Sequence, residues 1–235
     1  MDSPEQWRPA PKDLSLPNNT VHVWRAQLLP SPPDVLSPDE REKAAQFHFD
    51  RDRIRYVAAR AILRQLIGRY ERVPPESVRF SYNTYGKPAL DGSTLRFNAS
   101  HSGGLALLAF ARDRNVGIDI ERIRHDLAPR EIASQFFSAD ETAALRALPP
   151  ETLPRAFFGC WTRKEAFIKA HGSGLSLPLH KFTVSVNSPA QLLRTDFNPD
   201  ALQQWTLHDL SVGPDFAAAL AIEGASSPIH GWQWE

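Results

Sequence analysis

Between Val116 and Glu121 the chain alternates strictly: Val116, Ile118 and Ile120 are β-branched and apolar, while Gly117, Asp119 and Glu121 are not. A period of two predicts a strand with one buried face, because successive side chains point to opposite sides. Asp119 and Glu121 then share the other face, roughly 6.6 Å apart at about 3.3 Å per residue. Two carboxylates so placed repel each other unless a cation lies between them. Further on, Trp161-Thr162-Arg163-Lys164-Glu165-Ala166-Phe167-Ile168-Lys169 reads as a helix. Trp161, Glu165 and Ile168 fall on one of its faces, which predicts a half-buried Glu165 beside apolar side chains. Three carboxylates, Asp119, Glu121 and Glu165, with no His or Cys among them, suit a hard, oxygen-seeking ion such as Mg²⁺. Such an ion keeps positions open for phosphate oxygens.

The 235 residues suffice for one large domain or two small ones. A formal net charge of zero gives no overall field to recruit nucleic acid or a membrane, so any anionic partner has to be met by a local patch. The single cysteine, Cys160, excludes internal disulfides and a cysteine-based zinc site, and beside Trp161 it reads as a core residue. The longest apolar run, Leu105 to Ala111, is too short to span a bilayer, and the first twenty residues are polar and proline-rich without a signal-peptide core. A soluble, cytoplasmic protein is expected.

The segment through Thr20 reads as a loose arm, and Val21–Arg25 alternates like a strand. Ser37-Pro38-Asp39-Glu40 is a capping box with proline at the first helical position. A longer helix is predicted from about Arg51 to Tyr70, and strands near Val78–Tyr82, Thr94–Asn98 and Leu105–Ala111. The pattern then returns. Ser138-Ala139-Asp140-Glu141 is a second capping box, 101 residues after the first. A helix ending at Gly68 has its counterpart in one ending at Gly172, and Phe80-Ser81 its counterpart in Val184-Ser185, both at an offset of 104. Similar offsets in the same order predict an internal duplication: an α+β fold of two similar halves, residues 1–112 and 113–235. The halves are not equivalent, since Glu165 aligns with Ala61 and Asp119 with His22. The carboxylate site therefore exists once, in the second half, and a cleft between the halves is its natural place.

Tyr85-Gly86-Lys87-Pro88 reads as a turn, and a lysine presented there can meet phosphate. Asn98-Ala99-Ser100-His101-Ser102-Gly103-Gly104 reads as a loop offering hydroxyl and imidazole donors to an anion. The helix from Arg51 carries Arg51, Arg53, Arg55, Arg60, Arg64 and Arg69 against few acids. Glu165 and Lys169, four apart with Glu first, form a favourable helical ion pair.

These segments, in their order, resemble the 4′-phosphopantetheinyl transferases of the surfactin-synthetase-activating type. The elements that carry the resemblance are Gly86-Lys87-Pro88, Phe97 to Ser102, Val116 to Glu121, and Trp161-x-x-Lys164-Glu165-Ala166-Phe167-x-Lys169-Ala170-x-Gly172-x-Gly174-Leu175, with Leu36 through Phe47 like the family's N-terminal helix. The resemblance covers about residues 20 to 190. It implies a pseudo-dimer of two α+β halves, related by a pseudo-twofold axis, with coenzyme A bound in the cleft between them. It implies transfer of the phosphopantetheine arm to a serine of an apo acyl or peptidyl carrier protein, releasing adenosine 3′,5′-bisphosphate.

On that resemblance Asp119, Glu121 and Glu165 hold Mg²⁺, Glu165 is the general base, and Lys169 offsets leaving-group charge. Lys164 binds phosphate nearby. Ser100 and His101 hold the 3′-phosphate with Lys43 and Arg51, and Tyr85, Gly86, Lys87 and Pro88 line the adenine and ribose pocket. Two positions depart from the pattern: Glu40 stands where relatives often carry a basic residue, and Tyr56 where some carry a small hydroxyl residue. The resemblance does not identify the carrier; Phe136, Phe137 and Arg146 are candidate docking positions. An internal pseudo-dimer needs no second chain, so a monomer is expected. A non-catalytic module that binds coenzyme A or another nucleotide and a Mg²⁺-dependent nuclease or phosphohydrolase are the rival readings.

Overall fold

The run Leu105–Arg112 is apolar at nearly every position because both of its faces are covered, and the architecture is built around that fact. The computed structural model describes residues 7–11 and 14–235. Its first part holds strands β1 (Arg8–Pro9) and β2 (Val21–Gln27), helices α1 (Pro38–Ala45) and α2 (Asp50–Glu71), and strands β3 (Ser81–Tyr82), β4 (Pro88–Ala89), β5 (Leu95–Ser102) and β6 (Leu105–Arg112). The second part begins with strand β7 (Val116–Arg122) and helices α3 (Pro129–Phe136), α4 (Ala139–Arg146) and α5 (Leu153–His171). Strands β8 (Phe182–Val184) and β9 (Leu192–Thr195), helix α6 (Ala201–Gln204), and strands β10 (Trp205–Asp209), β11 (Phe216–Glu223) and β12 (Ile229–Gln233) complete it.

Two sheets dominate, one ordered β1-β12-β2-β6-β5 and one ordered β10-β11-β7, with two short hairpins, β3-β4 and β8-β9, beside them. Strand alternation sorts the core into layers. Ala106, Leu108 and Phe110 of β6 pack with the α2 side chains Ala58, Ile62 and Leu66. Leu107, Ala109 and Ala111 of the same strand meet Val116, Ile118 and Ile120 of β7 and Ala218, Leu220 and Ile222 of β11. The other face of β11, Ala217, Ala219 and Ala221, packs with Phe167 and Ala170 of α5. The order of layers is helix α2, first sheet, second sheet, helix α5. This is an α+β fold.

The parts repeat each other. In the first, β2 and β5 both pair antiparallel with a central β6; in the second, β7 and β10 both pair antiparallel with a central β11. Each has a capping box before a long helix, at Ser37 and at Ser138. Each capping glutamate also binds a buried cation from that helix. Glu40 Oε2 accepts from Arg64 Nε at 2.5 Å, and Arg64 Nη1 donates to the Val78 carbonyl at 3.0 Å. Glu141 Oε1 accepts from Lys164 Nζ at 2.6 Å, and Lys164 donates to the Phe182 carbonyl at 2.7 Å.

Several expectations are corrected. Of the arm expected through Thr20, residues 1–6 and 12–13 lie outside the described residues. The rest is not loose: Arg8–Pro9 pairs parallel with Trp232–Gln233, and Leu16 is buried in the α2 core. Helix α2 does not end at Gly68 but runs to Glu71, capped by Arg72 at φ 56°. Gly68 lies inside the helix, where a Cβ would come within 2.7 Å of the Val73 carbonyl oxygen. The strand expected at Val78–Tyr82 is reduced to Ser81–Tyr82, because Val78 closes a 3₁₀ turn begun at Pro75 and gives its carbonyl to Arg64. The loop expected from Asn98 is strand through Ser102, and only Gly103 and Gly104, with φ of 60° and 89°, make the turn. Finally, β12 leaves the second part and pairs parallel with β2, Ile229 opposite Val21.

Candidate active site

Gly117 sets the distance between strand and helix. A Cβ there would lie 2.1 Å from the Ala166 carbonyl oxygen and 2.2 Å from the Ala170 nitrogen, so only glycine lets α5 lie so close on β7. That contact brings the α5 residues Glu165 and Lys169, one helical turn apart, over Asp119 and Glu121. Lys169 Nζ donates to Asp119 Oδ1 at 2.6 Å and to Ser100 Oγ at 3.0 Å. Ser100 Oγ donates to the same Asp119 Oδ1 at 2.8 Å, and Ser102 Oγ to Glu121 Oε2 at 2.9 Å.

Strand β5 is stitched to β7 by its side chains. Asn98 Oδ1 accepts the Ile118 N–H at 2.9 Å, and Ser102 Oγ accepts the Arg122 N–H at 3.0 Å. Asn98, Ser100 and Ser102 recur every second residue and so share the strand face turned to β7. His101 belongs to the opposite face. Burial, then the cations Lys169 and Arg55, lower its pKa.

Asp119 is 3 % exposed, and its Oδ2 is buried with no hydrogen-bond partner. Burial, then the Asp119 charge, raise the pKa of Glu165; for Glu121 the same two causes act, opposed by the Ser102 hydrogen bond. Three carboxylates thus share a poorly solvated space with one lysine. Among the described residues no three His, Cys, Asp or Glu side chains are already gathered as a metal cluster, so the predicted trio is not a preformed cage. The cation that faces Asp119 is Lys169. The donor set nevertheless fits a hard divalent ion: carboxylate oxygens, one of them unpartnered, without nitrogen or sulfur.

The loop of Tyr85, Gly86, Lys87 and Pro88 belongs to the first part but sits at the C-terminal end of α5. Lys87 Nζ donates to the Ala170 carbonyl at 2.7 Å, and burial pulls its pKa down to about 8. Tyr85 is exposed, and nothing lies within 4 Å of where a Cβ on Gly86 would be. Arg51 and Lys43 are exposed on α2 and α1; Arg51 pairs loosely with Asp52 at 3.4 Å, and Lys43 Nζ lies 5.7 Å from the Tyr56 ring centroid.

One placement differs from expectation. Lys164 cannot meet phosphate: it is fully buried on the face of α5 turned away from the carboxylates, held by Glu141 and Phe182. Glu40, which stands in place of a basic residue, is committed to Arg60 and Arg64. One cation stands out from the six arginines that the sequence places on this helix. Arg55 is half buried, close enough to influence His101, and its Nη2 lies 3.7 Å from where a Cβ on Gly104 would be. It lines a cavity of about 900 Å³ with Arg51, Gly103 and Phe216. No local spacing singles it out, since Arg60 and Arg64 share the i, i+4 relation of Arg51 and Arg55.

The profile of the 4′-phosphopantetheinyl transferase superfamily matches residues 115–221, and that of the 4′-phosphopantetheinyl transferase N-terminal region matches residues 24–112. The 4′-phosphopantetheinyl transferase HetI of Nostoc sp. is 37% identical over 97% of this chain and 95% of its own length. The 4′-phosphopantetheinyl transferase Sfp of Bacillus subtilis is 37% identical over 67% of this chain and 69% of its own. A third relative, psf-1 of Bacillus pumilus, is 34% identical over 83% of this chain and 82% of its own. The chain belongs to the 4′-phosphopantetheinyl transferase superfamily and is a transferase of the Sfp-like type. No helix among the described residues is long and apolar enough to cross a membrane.

Proposed function

We propose that the protein transfers the 4′-phosphopantetheine group of coenzyme A to a serine hydroxyl of an apo acyl or peptidyl carrier protein, with Mg²⁺ as cofactor. The observation that carries this is the set Asp119, Glu121, Glu165 and Lys169, with one buried, unpartnered carboxylate oxygen. The serine Oγ attacks the β-phosphorus of the pyrophosphate. The bond from that phosphorus to the bridging oxygen breaks, and the leaving group is adenosine 3′,5′-bisphosphate. Asp119, Glu121 and Glu165 are the residues that would hold Mg²⁺, which supplies charge neutralisation at the pyrophosphate. Glu165, whose pKa is raised by burial and then by Asp119, accepts the serine proton. Lys169 stabilises the charge that develops on the departing phosphate.

Ser100 holds Lys169 and Asp119 in register at the phosphates. His101 with Arg55, and Lys43 and Arg51 at greater exposure, receive the 3′-phosphate. Tyr85, Gly86, Lys87 and Pro88 form the adenine and ribose wall. The halves 1–112 and 113–235, related by a pseudo-twofold axis, form the two walls of the cleft, with β12 the segment exchanged between them; the support is the repeated strand order and the repeated buried ion pair. One chain supplies both walls, so it acts as a monomer in the cytoplasm. The reading is tested by following the small-molecule product with carrier, coenzyme A and Mg²⁺ present. Adenosine 3′,5′-bisphosphate that forms only when apo carrier is added supports it; free phosphopantetheine without carrier would indicate hydrolysis instead.

A further inference from the structure

Asn83 takes no part in the chemistry, yet both polar atoms of its side chain are engaged. Its Oδ1 accepts the Tyr85 and Lys87 N–H groups, each at 2.9 Å, which fixes the turn that presents Tyr85 and Gly86. Its backbone closes the same turn, donating to the Lys87 carbonyl at 3.1 Å and accepting the Gly86 N–H at 3.0 Å. Its Nδ2 donates at 3.0 Å to the Gly172 carbonyl, in the other half of the chain. Gly172 caps α5 in the left-handed region at φ 81°, and a Cβ there would lie 3.5 Å from Asn83 Nδ2 and 3.3 Å from Lys87 Cδ.

The last carbonyls of a helix have no N–H partner within it and carry partial negative charge. At the end of α5 two carbonyls in this region, Ala170 and Gly172, are taken by the 83–87 turn through Lys87 Nζ and Asn83 Nδ2. Ala170 directly follows Lys169, and Glu165 is one turn earlier on the same helix. A turn from one half is thereby fastened to the helix that carries the reacting residues.

We infer that Asn83 is a positioning residue for the co-substrate: its amide sets the distance between the adenine-binding turn and Lys169, so that nucleotide and pyrophosphate are held at one fixed spacing. This rests on the coenzyme A reading above. Asn83→Asp separates the two tasks of the side chain. It keeps an acceptor for the Tyr85 and Lys87 amides and replaces the donor facing the Gly172 carbonyl by an acceptor. Asn83→Ala removes both.

The test measures coenzyme A binding by calorimetry, steady-state transfer with each substrate varied, melting temperature, and hydrogen exchange of residues 83–88. For Asn83→Asp the dissociation constant and KM for coenzyme A rise about three- to tenfold, as expected for loss of one hydrogen bond. Exchange in the turn accelerates, while the KM for carrier and the melting temperature stay at wild-type values. Asn83→Ala weakens coenzyme A binding further. Wild-type coenzyme A affinity in Asn83→Asp would overturn the inference. So would a loss of affinity accompanied by an equal rise in carrier KM and a lower melting temperature, which marks a structural role only. If the wild-type protein itself bound no coenzyme A and modified no carrier, the underlying reading would fail, and the inference with it.

Discussion

Lys164 and Lys169 are both cations on α5, but their surroundings give them different work. Lys164 is fully buried against Glu141, and removing one partner of such a pair leaves an uncompensated charge. Lys164→Ala is therefore expected to cost about 3–5 kcal/mol of stability, read by denaturant unfolding, with coenzyme A affinity unchanged in the protein that remains folded. Glu165→Gln removes the proton acceptor without opening a cavity. Its kcat should fall about 10²- to 10⁴-fold with the unfolding midpoint within error of wild type, which single-turnover kinetics beside a melt would show. That Asp119, Glu121, Glu165 and Lys169 lie close together was legible in the sequence because strand alternation and helical spacing are local. The role of Lys164 was not, because its partner Glu141 lies 23 positions away and only the packing of α4 on α5 brings the two together. Arg55 was seen only as one arginine among several, since nothing local tells which of them faces His101.

At the scale of elements, the site depends on how closely α5 lies on β7. Gly117→Ala places a methyl group 2.1 Å from a backbone oxygen that cannot rotate away, so the helix has to shift. Overpacking of this kind costs about 1–3 kcal/mol or more, and here it also draws Glu165 and Lys169 away from Asp119. The variant should unfold at lower denaturant and lose transfer together; retained stability with full activity would show that the helix has slack the contact does not suggest. The same scale shows where sequence reading stopped. The stretch Asn98 to Ser102 looked like a loop because it is polar, yet its polar atoms bond to β7, some twenty positions away. The helices were clearer, since both capping boxes lie within four residues. The helix predicted to end at about Tyr70 ends at Glu71, whereas the end at Gly68 used for the repeat offset is not observed, because the left-handed cap here is Arg72 rather than a glycine.

For the molecule as a whole, the repeated strand order carries different chemistry in its two occurrences. Where β7 has Asp119, β2 has His22, and the surrounding space is filled: His22 Nδ1 meets the Tyr70 hydroxyl at 2.8 Å, and Trp24 Nε1 donates to the same hydroxyl at 2.8 Å. Burial, with a smaller push from His230, lowers the His22 pKa from 6.5 to about 4. As pH falls through that interval the unfolded chain takes up a proton that the folded chain refuses, so stability declines with pH. The loss on this account approaches about 3 kcal/mol below pH 4. Melting temperatures from pH 7 to pH 4 should fall for the wild-type protein, and less steeply for His22→Asn. The repeated strand order was foreshadowed by offsets between capping boxes, but the return of β12 to the first sheet was not, since nothing in Ile229–Gln233 says which edge it will join.

The most direct test of the transfer reading is the intact mass of an apo carrier protein incubated with this protein, coenzyme A and Mg²⁺. The account predicts a gain of one phosphopantetheinyl group, abolished by EDTA and absent with Asp119→Asn. No gain on acyl or peptidyl carriers, from a protein that still binds coenzyme A, would contradict it.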